Sequence, residues 1–99
     1  MTKILLCCSA GMSTSMVVKK MRVAADSKNI DVEINAVGSE EFDANVSEYD
    51  CFLLGPQIKY KLEAFKARVD GKPIAVINQM DYGMMKGEKI LTDALAMIK

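Results

Sequence analysis

Apolar runs suited to strands alternate four times with stretches suited to helices, and this alternation constrains the fold more than any other feature of the chain. Lys3 to Cys8 reads as a strand, apolar from Ile4 onward. From Thr14 to about Lys28, Val17, Val18, Met21, Ala24 and Ala25 form the single stripe of an amphipathic helix. Asp31 to Val37 alternates instead, with Val32, Ile34 and Ala36 on one face and Asp31, Glu33 and Asn35 on the other. That pattern marks a strand exposed on one side, at a sheet edge. A short helix is expected from Ser39 to about Val46, with Ser39 as its N-cap. Cys51 to Leu54 is uniformly apolar, as a central strand buried on both faces must be. Gly55-Pro56 breaks it and Pro56 suits a helix start, after which Ile58, Leu62, Phe65 and Val69 keep helical spacing as far as Asp70-Gly71. Pro73 leads into a fourth strand, Ile74 to Ile77, followed by a loop from Asn78 to about Gly87. A last helix turns Leu91, Ala94, Leu95 and Ile98 inward.

Strand–helix units repeated in this way, with right-handed crossovers, predict an α/β fold with a parallel sheet and helices on both faces. With the second strand at an edge and the first and third central, the order is 2-1-3-4, a truncated flavodoxin-like sheet. The 99 residues suffice for one domain, 1–99, and no repeat, low-complexity tract or linker divides them. In such a sheet ligands bind at the carboxyl ends of the strands, where the order switches between the first and third. The loops gathering there are Cys8 to Ser15, Val37 to Ser39, Gly55 to Gln57, and Asn78 to Gly83.

The first of these loops carries the chemistry. In Cys8-Ser9-Ala10-Gly11-Met12-Ser13-Thr14-Ser15 a cysteine ends a strand and small residues open a helix. Backbone N–H groups and the positive end of the helix dipole then converge on one spot, which suits an anion and favours thiolate at Cys8. Gly11 lets the backbone turn, the hydroxyls of Ser13, Thr14 and Ser15 supplement the amides, and Met12 faces outward. A nucleophilic sulfur in a phosphate cradle is the simplest chemical reading. Histidine is absent, so Ser-His-Asp and Cys-His catalysis and a phosphohistidine carrier are excluded. Thirteen basic residues balance thirteen acidic ones, which leaves no electrostatic case for nucleic acid or anionic lipid. No segment approaches a membrane span, and three cysteines without a disulfide framework suit a reducing cytoplasm.

Cys8-Ser9-Ala10-Gly11-Met12-Ser13-Thr14-Ser15 resembles the phosphorylation loop of the IIB component of the bacterial sugar phosphotransferase system, lactose/cellobiose (chitobiose) family. Leu53-Leu54-Gly55-Pro56-Gln57-Ile58 and Tyr82-Gly83 are similar to that family too, so the resemblance spans essentially the whole chain. It implies a four-stranded parallel sheet with flanking helices, and a cysteine that accepts phosphate from a phosphohistidine on a IIA protein. The phosphate then passes to a sugar, such as cellobiose, chitobiose or lactose, held by the membrane IIC protein. Carried over, Cys8 is the phosphocysteine and Ser9 to Ser15 are the cradle, with no metal and no cofactor. Cys7 departs from the pattern, since an apolar residue is expected before the active cysteine.

Each site residue also has a plainer reading. A lone cysteine is usually a small buried hydrophobe, but Cys8 sits at strand end, loop and switch point together. Cys7 belongs to the strand interior, and Cys51 lies at the far end of the sheet, beyond disulfide reach of Cys8. Gln57 and Tyr82 touch either phosphate or partner, or else solvate a helix start and cover the core rim. Met80, Met84 and Met85 extend an apolar docking rim around Met12 or enter the core, and Asp81 is an acid near the site or a structural turn residue. Lys59, Lys61, Lys66 and Arg68 form a solvated helix face, and Glu40-Glu41 supply favourable helix-start charge. Two other functions fit the loop. A low-molecular-weight tyrosine phosphatase reads C-x5-R-[ST], and here Thr14 stands at the arginine position although Ser15 matches the hydroxyl. A small FMN-binding module would use the loop for the flavin phosphate, with only Tyr82 near enough to stack on the ring. A monomer is expected, because the docking face must stay open to successive partners.

Overall fold

The computed structural model describes residues 1–8 and 12–98, and the side chains of residues 12–14 are not among those described. Four strands, β1 (Thr2–Cys8), β2 (Val32–Gly38), β3 (Cys51–Leu54) and β4 (Ile74–Val76), form one sheet in the order β2-β1-β3-β4. Every pairing is parallel, with Ile4 opposite both Ile34 and Cys51, and Phe52 opposite Ile74. The parallel α/β sheet in the order 2-1-3-4 is therefore the fold the alternation predicts.

Helices cover both faces. Alternation along β1 sends Ile4 and Leu6 to one side, where they pack with Val17 and Met21 of α1 (Met12–Ser27). Ile90, Leu91 and Ala94 of the last helix, Gly87–Ile98, join the same layer. Leu5 and Cys7 point the other way, into a layer built around Phe42, Phe52 and Phe65. Phe42 is fully buried and stacks on Phe65, with ring centroids 4.0 Å apart and planes 6° from parallel.

Several connections are less regular than the sequence pattern. The segment after β2 is a 3₁₀ turn (Ser39–Glu41), one helical turn α2 (Phe42–Asn45) and another 3₁₀ turn (Val46–Glu48). Ser39 is not the cap: Gly38 holds that position, and no side chain caps the turn. The spacing from Ile58 to Val69 reads as one helix, but Pro56–Lys61 is 3₁₀ and only α3 (Leu62–Lys66) is α-helical. Ile58, at φ −119° and ψ 28°, leaves the helical region and still buries its side chain, so apolar spacing survives the kink. The expected loop after β4 contains a helix, α4 (Gln79–Gly83), and the Gly87–Ile98 helix is accordingly α5. Asn78 caps α4 by accepting hydrogen bonds from the amides of Met80 (2.9 Å) and Asp81 (3.1 Å).

Candidate active site

The parallel register brings the carboxyl ends of the strands level. Cys8 is opposite Gly38, and Cys7 is opposite both Val37 and Leu54. Cys8 therefore ends a central strand, beside the point where chain order switches from β1 to β3. Its side chain is buried, at 1% exposure, and strand alternation directs it to the α1 face. Three residues separate it from Met12, where α1 begins. A connection that short keeps the first turn of the helix close to the strand end. Met12, Ser13, Thr14 and Ser15 occupy that turn, and Ser15 is exposed. Ser9, Ala10 and Gly11 lie outside the described residues, as do the side chains of Met12, Ser13 and Thr14, so the cradle itself is not described.

The loop after β3 closes on Cys8 from the other side. The Gly55 amide donates to the carbonyl of Cys7 at 2.8 Å, fastening β3's end to the peptide that leads into Cys8. A methyl group on Gly55 would sit 3.3 Å from Cys8 Cβ and 2.6 Å from Gln57 Oε1. A side chain at Gly55 would thus meet both the Gln57 carboxamide and Cys8, and its absence leaves both in place. Gln57 Nε2 donates to the Tyr82 hydroxyl at 3.3 Å, joining the β3 loop to α4. Pro56, Gln57, Lys59, Gln79, Tyr82 and Gly83 line an open cleft of about 400 Å³. In the sequence Gly55 reads only as a strand breaker. Its close approach to Cys8 joins positions 47 residues apart and leaves no local signal.

The remaining residues sort clearly. Met80, Met84 and Met85 are 70%, 63% and 38% exposed, so none of them belongs to the core. Asp81 is buried and receives a hydrogen bond from Lys89 Nζ at 3.1 Å, which makes it a strut between α4 and α5 rather than an acid facing Cys8. Burial, with the neighbouring Cys8 adding to it, raises the Cys7 thiol to about 11, and Lys61 partly opposes the shift. Cys51 is raised to about 12 by burial and then by Asp50, while the Phe52 amide opposes. Both stay protonated at neutral pH and are poor nucleophiles. Among the described residues no group of three His, Cys, Asp or Glu could hold a metal ion, and no helix is long and apolar enough to cross a membrane.

Residues 3–93 match the family model described as the PTS system, lactose/cellobiose-specific IIB subunit. The chain is 44% identical over 98 residues to the galactose-specific EIIB component of Lactococcus lactis subsp. cremoris and equally to the cellobiose-specific EIIB component of subsp. lactis, covering 92% of this chain and 91% of each relative. It is 38% identical over 100 residues to the oligo-β-mannoside-specific EIIB component of Bacillus subtilis, covering 99% and 97%. The solution structure of the cellobiose-specific IIB protein of Borrelia burgdorferi superposes with a TM-score of 0.82 at 40% identity, over 98% of this chain and 91% of that one. The lactose-specific IIB domain of Streptococcus pneumoniae gives 0.86 over 99% and 98%, at 19% identity, and so attests to the fold alone. This chain belongs to the lactose/cellobiose family of phosphotransferase-system IIB subunits, the phosphocarrier components of a sugar-transporting phosphotransferase.

Proposed function

We propose that Cys8 is the residue that carries the phosphoryl group, and that residues 9–15 cradle it. The observation that carries this reading is the place of Cys8: the end of a central parallel strand, at the switch point, with three residues between it and a 16-residue helix. Family membership implies a IIA donor and a IIC acceptor. The Cys8 thiolate attacks the phosphorus of a phosphohistidine on IIA, the P–N bond breaks, and the imidazole leaves. First-turn amides of α1 and the preceding loop hold the equatorial oxygens, so positioning and electrostatics supply most of the catalysis. A hydroxyl of the sugar on IIC then takes the phosphoryl group and gives up its proton, and the S–P bond breaks to return the thiolate. Because Cys8 is 1% exposed, groups around the sulfur must move aside as each partner docks. Exposed Met80 and Met84 form the apolar rim on which those partners rest. The protein acts as a single cytoplasmic domain.

The sugar is a β-linked disaccharide such as cellobiose, chitobiose or lactose. Relatives at equal identity are named for galactose and for cellobiose, which agrees with selection by IIC rather than by these residues. Intact-mass spectrometry after incubation with phosphoenolpyruvate, the general phosphotransferase proteins and a cognate IIA tests the carrier role. One added phosphate is expected on wild type and on Cys7→Ser, and none on Cys8→Ser. Loss of phosphate in Cys7→Ser with Cys8 intact would overturn the assignment. No phosphate on folded wild type beside a charged IIA would return the phosphatase and FMN readings.

A further inference from the structure

We propose that the Gln57 carboxamide binds the phosphoryl group on Cys8 and turns over as the group arrives, with the Tyr82 hydroxyl as its pivot; this rests on Cys8 being the carrier. Two observations place Gln57 there. Its Oε1 lies against the bare Cα of Gly55, where a single methyl would touch both that oxygen and Cys8 Cβ. Its Nε2 donates to Tyr82 on α4. The carboxamide is therefore anchored to Tyr82 at its nitrogen, and its oxygen lies beside Gly55, which also neighbours Cys8.

The chemistry of the two states differs at that end. Before transfer the nearby sulfur carries at most one diffuse negative charge, and the carbonyl oxygen can remain on the side of Gly55. After transfer it faces phosphoryl oxygens of high negative charge, which repel a carbonyl and attract N–H donors. Rotation by half a turn about the last side-chain bond exchanges the two ends of the carboxamide. A phenol both donates and accepts. Tyr82 can thus accept from Nε2 in the first orientation and donate to Oε1 in the second, so the anchor survives the rotation. A phenylalanine ring would keep the packing of Tyr82 and lose the pivot. Gln57 is exposed on the 3₁₀ turn, so replacing it leaves the core intact.

The test measures how phosphate partitions at equilibrium between this protein and a IIA protein of the same family, read by intact mass. This ratio reports the stability of the phosphorylated state. Gln57→Leu and Gln57→Glu should shift it toward IIA by about ten- to a hundredfold, the worth of a hydrogen bond to a charged group. Tyr82→Phe should shift it by about fivefold, and the Gln57→Leu/Tyr82→Phe double variant should be no worse than Gln57→Leu alone. That non-additivity would not arise from two independent structural defects. The side-chain ¹⁵N–¹H resonances of Gln57 should move on phosphorylation of wild type. Partition ratios within twofold of wild type for both Gln57 variants, with Cys8 phosphorylated normally, would overturn this role and leave the carrier reading standing. Absence of phosphate from wild-type Cys8 would overturn both.

Discussion

Adjacent residues in a strand face opposite environments, and in β1 this divides Cys7 from Cys8. Cys7 packs with Leu5, Phe42 and Phe52 on the face away from α1, and burial lifts its pKa to about 11. Cys51, at about 12, is likewise held protonated. Below the ordinary thiol range both the folded and unfolded chains keep these protons, and the contribution to stability is full. Above about pH 9 the unfolded chain releases them while the folded chain holds on, so stability falls as pH rises toward 11 and 12. Urea midpoints at pH 7.5 and pH 10 should show this fall, and a Cys7→Ala/Cys51→Ala variant should show a shallower one. Equal slopes would mean that the buried thiols do not contribute. Strand periodicity is enough to separate the two cysteines in the sequence. The Gln57–Tyr82 bridge is not legible in that way, because it joins a 3₁₀ turn to a helix that only the folded sheet brings beside it.

Elements are legible wherever apolar spacing extends over a full strand or several helical turns. α1 and all four strands stand within about two residues of where periodicity puts them. α4 escapes the sequence pattern because five residues are too few to show a period; its signal is the Asn78 cap, with Asp81 three residues on. Two helical glycines lead to opposite predictions. Nothing lies within 4 Å of a methyl placed on Gly83 in α4, so Gly83→Ala should stabilise by about 0.5–1 kcal/mol through helix propensity and a less free unfolded chain. A methyl on Gly87, at the start of α5, would meet the backbone of Lys20 and Met21 at 2.5–2.6 Å. Backbone atoms of α1 cannot step aside as a side-chain tip can. The strain, about 1–3 kcal/mol, exceeds the propensity gain, so Gly87→Ala should destabilise. Denaturant titration of both variants checks the contrast, and a stabilised Gly87→Ala would show that α5 does not seat on α1 as described.

At the scale of the whole molecule, an open parallel sheet has two edges, and each offers unpaired backbone groups to a second copy. One edge is β4, only three residues long and preceded by Pro73, which has no N–H to offer. The other is β2, seven residues long and the greater hazard. Arg22 of α1 reaches across it. Its Nε donates to the Ile34 carbonyl at 3.0 Å, its terminal nitrogen donates to the same oxygen, and that nitrogen also donates to Asn35 Oδ1 at 2.9 Å. Asn35 Nδ2 in turn donates to Glu33 and to the Tyr49 hydroxyl. The middle of the long edge is therefore occupied by a fixed cation, and a strand that paired there would have to displace it. Equal numbers of acidic and basic residues leave no net charge to hold copies apart, so this local guard carries more of the burden. Wild type should sediment as a monomer at tens of micromolar. Arg22→Ala keeps the apolar face of α1, since Arg22 is exposed, and should self-associate at the same concentration. A monomeric Arg22→Ala would show that the short β4 edge and strand twist suffice, and that Arg22 only fastens α1 to β2.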